Sequence, residues 1–252
     1  MFKKLLSKLS GAPAAAPTST RRQASRDPAS EALLRAVEAQ RKTDPYIGAK
    51  LGGKEVLHRL MSAFKNERGV HVESVLSALG ALAGYACQAD LRARALAAGQ
   101  PEKAVFMVVE TAKGQRYFFG DALNRLLVEE PVSVWGLAAG AAQHLGCSPL
   151  PDVQEMFAHV AKTVGETDFG VPRIPEEHRP SELPAGYLKT LWPVLLPVLK
   201  DFCHSTAEWP LLYASAIQNL MEMAKDVLGP ELALRIVMES AIPMSKVDLQ
   251  AL

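Results

Sequence analysis

The chain has 252 residues, 48% of them hydrophobic and 22% charged, which suits a globular protein with one large core or two small ones. No apolar run reaches the 18 or so residues that a membrane-spanning helix needs, so none is expected. Net charge is +1, yet Lys3, Lys4, Lys8, Arg21, Arg22 and Arg26 all fall within residues 1–30 beside a single acid, Asp27; the rest is mildly acidic, which argues against nucleic acid as a partner.

Residues 1–9, MFKKLLSKL, place Phe2, Leu5, Leu6 and Leu9 on one helical face and the lysines elsewhere. Such a basic amphipathic segment fits a membrane surface or the groove of a partner protein. Lys8 interrupts the apolar stretch that a signal peptide requires. Residues 10–30 are rich in Ala, Pro, Ser and Thr and read as a flexible linker. Residues 1–30 are thus expected to be a basic, flexible tail, and residues 31–252 a single helical globular domain.

Residues 31–42 carry Leu33, Leu34 and Val37 at helical spacing. Residues 43–53 hold Pro45, Gly48, Gly52 and Gly53 and are expected to be irregular. A helix follows to Phe64, with Val56, Leu57 and Leu60 as its inner stripe, and then a turn over Asn66 to Gly69. The next helix is expected from Val72 to Ala98. It carries Gly80 and Gly84 four residues apart, beside Ser77 and Ala81. Glycine costs about 1 kcal/mol against alanine inside a helix, so this pair predicts close approach of another backbone.

Residues 104–119 change character. AVFMVVET and QRYFF flank Ala112-Lys113-Gly114, which predicts a β-hairpin. Val105, Met107 and Val109 alternate with Phe106 and Val108, so both faces of the first strand are apolar and call for cover on each side. Exposed strand edges invite pairing with another chain. A homodimer or a protein partner is therefore expected through this hairpin, at Val108 and Phe118.

Asp121 can cap a short helix reaching Leu127. Val134 to His144 forms a second glycine-bearing helix, with Gly136 and Gly140 four apart. The Gly-x-x-x-Gly step shared by ALGALAGYACQ and VWGLAAGAAQH predicts that the two helices pack on each other. Asp152 and Glu155, at capping-box spacing, open a helix to about Val164. Residues 165–186 form a polar loop with Pro172, Pro175, Pro180 and Pro184; loops of this length are functional or disordered. Tyr187 to Phe202 is strongly apolar, and Pro193 and Pro197 must start or kink a helix there. A helix over 206–228 and a last one over 231–240 follow, divided by Gly229-Pro230, and Pro243 is expected to leave a short tail. The fold class is mainly α (α+β), a multi-helix globular domain with one hairpin around residues 104–119.

Chemistry-bearing motifs are sparse. Cys87, Cys147 and Cys203 are odd in number and widely spaced, which argues against a disulfide framework and a Cys-based zinc site and suggests reduced thiols in the cytoplasm. Cys87 and His144 occupy matching ends of the glycine helices and could meet as nucleophile and base. Glu155 and His159 share a helix face and could give two metal ligands. Asp168-Phe169-Gly170 imitates a kinase triplet but lacks its companion motifs. Glu73 reads as a helix-start carboxylate favoured by the macrodipole. No cofactor is implied. The leading expectation is a non-enzymatic interaction or assembly protein. The alternative is a small-molecule-binding protein or hydrolase-like enzyme with its pocket between the two glycine-bearing helices.

Overall fold

The computed structural model of the protein describes residues 28–252. The stripe Phe2, Leu5, Leu6 and Leu9, and all but the last few residues of the basic tail, lie outside the described residues. In chain order come α1 (Pro28–Gln40), α2 (Ile47–Phe64), α3 (Val72–Ala97), β1 (Met107–Glu110), β2 (Arg116–Phe119), α4 (Asp121–Asn124), a π-helical turn (Arg125–Glu129), α5 (Val134–His144), α6 (Val153–Lys162), α7 (Pro184–Phe202), α8 (Trp209–Ala224) and α9 (Pro230–Met244). The fold is mainly α with one small antiparallel hairpin. Among the described residues no helix is long and apolar enough to cross a membrane.

The centre is α3. Every residue from Ser74 to Gln88 is buried, as expected of a helix that is apolar or small all round. Its main neighbour is α9, and α7 and α8 complete the cover. Gly80 and Gly84 make the α9 contact possible. A methyl group at Gly84 would collide with the Ala241 carbonyl, and one at Gly80 with the Val237 carbonyl. Ser77 Oγ, on the same stripe, lies 3.0 Å from Ser240 Oγ.

The expected contact between the two glycine-bearing helices is not made in this form. The α3 groove belongs to α9, while α5 rests on α8, α9 and the π-helical turn. Gly136 sits over the carbonyl of Pro131, just before its own helix, and Gly140 is exposed with open space around it.

Residues 43–53 are also not irregular throughout, since α2 already begins at Ile47. Its glycines are a contact face rather than helix breakers. A Cβ on Gly52 would press on Phe202, and one on Gly53 would lie 2.7 Å from the Leu212 carbonyl oxygen. This lets α2 lie close to α8 and the end of α7. Helix α7 passes through Pro193 and Pro197 without ending. Both prolines face solvent, and the carbonyls they leave unpaired belong to the exposed residues Lys189 and Pro193, where water can serve them. Likewise α9 extends past Pro243 to Met244.

The hairpin pairs Met107 with Phe119, Val108 with Phe118, Val109 with Tyr117 and Glu110 with Arg116. Its first strand is not covered on both faces as its apolar residues suggest: Met107 is 62% exposed and Val108 37%. Phe118, by contrast, is completely buried. The outer edge of β2 is covered by the chain's own C-terminal segment. Phe118 N–H donates to the Lys246 carbonyl (2.8 Å), and Tyr117 forms an antiparallel bridge with Val247. The segment after α9 is therefore an edge cover for the sheet.

Residues 165–183 form a strap across α9 and the start of α3. Phe169 stacks edge-on against Tyr117 with ring centroids 4.8 Å apart. Arg173 reaches Glu239 of α9, and His178 reaches Glu73 of α3.

Candidate functional site

The hairpin is a firmly held platform. The Phe118 ring lies between the guanidinium groups of Arg92 (4.6 Å) and Arg116 (5.2 Å) and against the Phe106 ring (5.5 Å). Glu102 accepts from both arginines, at 2.8 Å from Arg92 Nη2 and 2.7 Å from Arg116 Nη2. Burial raises the Glu102 carboxyl, but the two arginines outweigh it and leave the group below its ordinary value. Arg116 also stands 3.5 Å from Asp248, which ties the hairpin to the C-terminal segment.

Antiparallel pairing alternates, so each residue turns its N–H and C=O either to the partner strand or away from it. Phe118 points outward, to Lys246. Val108, its direct partner, must then point its own N–H and C=O away from β2, and so must Glu110. The hydrogen bond from Thr111 N–H to the Gln115 carbonyl at 2.9 Å fits the same alternation. No backbone hydrogen bond from another described residue reaches the outer edge of β1. One edge of the sheet is thus closed and the other is open, with exposed Met107 and Val108 on it.

The closed edge is secured from below. Gln88 Nε2 donates to the carbonyls of Ser245 (2.8 Å) and Val247 (3.0 Å), and Gln88 Oε1 accepts from Arg92 (2.8 Å). Lys246 is 1% exposed, and among the described residues no carboxylate pairs with it. Its Nζ donates to Asn124 Oδ1 at 3.0 Å and lies 5.4 Å from the centre of the Phe119 ring and 5.5 Å from that of Phe157. Burial pushes its amine down to about 8, partly opposed by the neighbouring Cys87.

Comparisons with protein families, curated proteins and solved structures find no match.

Cys87 and His144 are not brought together as a catalytic pair. Cys87 is completely buried within α3, its thiol donates to the Ala83 carbonyl (3.4 Å), and burial drives it far above the ordinary thiol range. His144 is exposed at the end of α5, on the side of Glu222. Glu155 is already claimed by Arg173, which holds it at 2.5 and 2.9 Å and holds Glu239 at 2.6 Å. Among the described residues, no group of three or more His, Cys, Asp or Glu side chains could hold a metal ion. The alternative pocket loses its setting as well, because the small-residue face of α3 is filled by the α9 backbone.

One cluster carried no signal in the sequence. Glu73 does more than sit at a helix start: Oε1 is 2.8 Å from His178 Nδ1, and Oε2 is 3.5 Å from His71 Nε2. His71 Nδ1 lies 2.7 Å from Ser74 Oγ, so serine, histidine and glutamate follow one another in space. Ser74 is nevertheless 0% exposed. Its hydroxyl accepts from Ser181 N–H (2.9 Å) and meets Ser181 Oγ (2.8 Å), which leaves no approach for a substrate. The buried Tyr187 hydroxyl closes the far side without an aligned hydrogen bond of its own. The arrangement is a clasp that fastens the strap to α3. Its halves are 105 residues apart, so local spacing could not reveal it.

Proposed function

We propose that this chain is a non-enzymatic interaction module that takes up a protein partner by strand addition to β1. The open, apolar outer edge of β1, on a hairpin whose other edge is covered by the same chain, supports this reading. Strand addition draws affinity from main-chain hydrogen bonds and specificity from alternate side chains, and β1 offers both. Such an edge is a liability that folds ordinarily blunt with charge, proline or a covering segment. Here β2 has its cover and, among the described residues, β1 does not. The module works in the cytoplasm, where Cys87, Cys147 and Cys203 stay as the free thiols they are in the fold.

The test is Val108→Pro, which removes the outward N–H while leaving every hairpin hydrogen bond in place; proline is tolerated on edge strands for this reason. Proteins retained by the immobilised wild-type chain should be lost from the variant, whose far-ultraviolet spectrum and melting temperature stay close to wild type. An unchanged set of retained proteins would sink the proposal.

A further inference from the structure

Resting on that reading, we infer that the strand added to β1 is β1 of a second copy of this chain, antiparallel, with Val109 facing Val109 across a two-fold axis. The groups that point outward are those of Val108 and Glu110, two donors and two acceptors spaced two residues apart. A two-fold axis at Val109 sets Val108 of each copy opposite Glu110 of the other. Each N–H then meets a carbonyl, and four hydrogen bonds close with nothing left over.

Neighbouring registers fail on particular groups. An axis at Val108 would need the Phe106 N–H, which already donates to the Glu102 carbonyl at 3.0 Å. An axis at Glu110 would set two carboxylates directly opposite each other, which is unfavourable in an antiparallel pair. At Val109, each Glu110 faces an aliphatic Val108, and Arg116 stands across its own hairpin. Val109 packs on its counterpart, and the 62% exposed Met107 lies over the new seam. Two-fold pairing of identical edges is the isologous contact by which most homodimers close. A four-residue edge covers far less than the roughly 1,600 Å² of a standard interface, so the pairing is weak and concentration-dependent.

The test uses the whole chain. Sedimentation equilibrium of the wild type, from low to high micromolar concentration, should show a monomer–dimer equilibrium that Val108→Pro abolishes. In this register Val109 and its counterpart form a non-hydrogen-bonded pair with Cα atoms about 4.5 Å apart, within reach of a disulfide. Val109→Cys should give a disulfide-linked dimer on mild oxidation. Glu110→Cys, whose counterpart lies two residues away, should not, and wild type reports any background from the half-buried Cys203. A single-chain mass at every concentration with no Val109→Cys dimer overturns the inference. So does a dimer that survives Val108→Pro. If a monomeric wild type still retains a protein that Val108→Pro loses, strand addition stands with a different partner; if nothing is retained, both readings fall.

Discussion

Lys246 is the residue where burial and charge conflict most. Its ammonium has an amide oxygen and two ring faces for company but, among the described residues, no carboxylate. A lysine lowered from 10.5 to about 8 on folding leaves the folded state holding fewer protons than the unfolded state between those two values. Its contribution to stability therefore rises with pH across that window, and below about 8 the full penalty remains. Lys246→Met keeps the length and removes the charge, so it should stabilise the fold at pH 7 by roughly 2–4 kcal/mol, with the gain shrinking toward pH 10.5. The raised Cys87 thiol acts in the opposite sense once the unfolded thiol ionises near pH 9, so the difference between variant and wild type is what isolates the lysine. Urea unfolding at several pH values measures it. A neutral-pH loss would show that the ammonium is satisfied where it sits. Two hairpin residues that look alike in the sequence should also part company. Phe118→Lys buries a charge between two arginines and should abolish folding, read as a lost thermal transition. Val108→Lys should leave that transition within a few degrees, because its side chain already borders water.

At the scale of elements, identical glycine pairs carry opposite consequences. Gly84→Ala drives a methyl into the Ala241 carbonyl and should cost about 1–3 kcal/mol or more. Gly140→Ala meets open space and should gain up to about 1 kcal/mol through helix propensity. Denaturant midpoints for the two variants check the signs, and two losses of equal size would remove the distinction. Arg173→Ala should cost about 3 kcal/mol, since it strands the buried Glu239 carboxylate, and Glu239→Gln in that background should recover part of the loss. Sequence spacing makes the helices and the hairpin legible, because period and β-branching are local. What a glycine or proline does inside a helix is not local. Gly48, Gly52 and Gly53 repeat the very step that marks α3, yet beside Pro45 they read as a loop. Only the presence of Phe202 and Leu212 opposite them makes the helix worth its entropy. Pro193 and Pro197 read as the start or a kink of a helix for the same reason, since their exposure follows from how α7 is turned. Val108 and Phe118 both sit in apolar strand sequences. Which of them faces water depended on Lys246 and Val247, more than a hundred residues away.

The whole molecule is held by contacts distant along the chain. The two helices that enclose most of α3, α8 and α9, both follow residue 205. A fragment ending at residue 205 should therefore show no cooperative thermal transition by circular dichroism, and a sharp one would mean that α1, α2 and α7 suffice. During synthesis the same topology has a temporal meaning. Ser77 finds its counterpart Ser240 163 residues later. At about 5–20 residues per second, that leaves the α9-facing groove of the deeply buried α3 open on the ribosome for on the order of ten seconds or more. The α3 groove is thus the last part of the core to close, when α9 emerges and its Val237 and Ala241 carbonyls settle over Gly80 and Gly84.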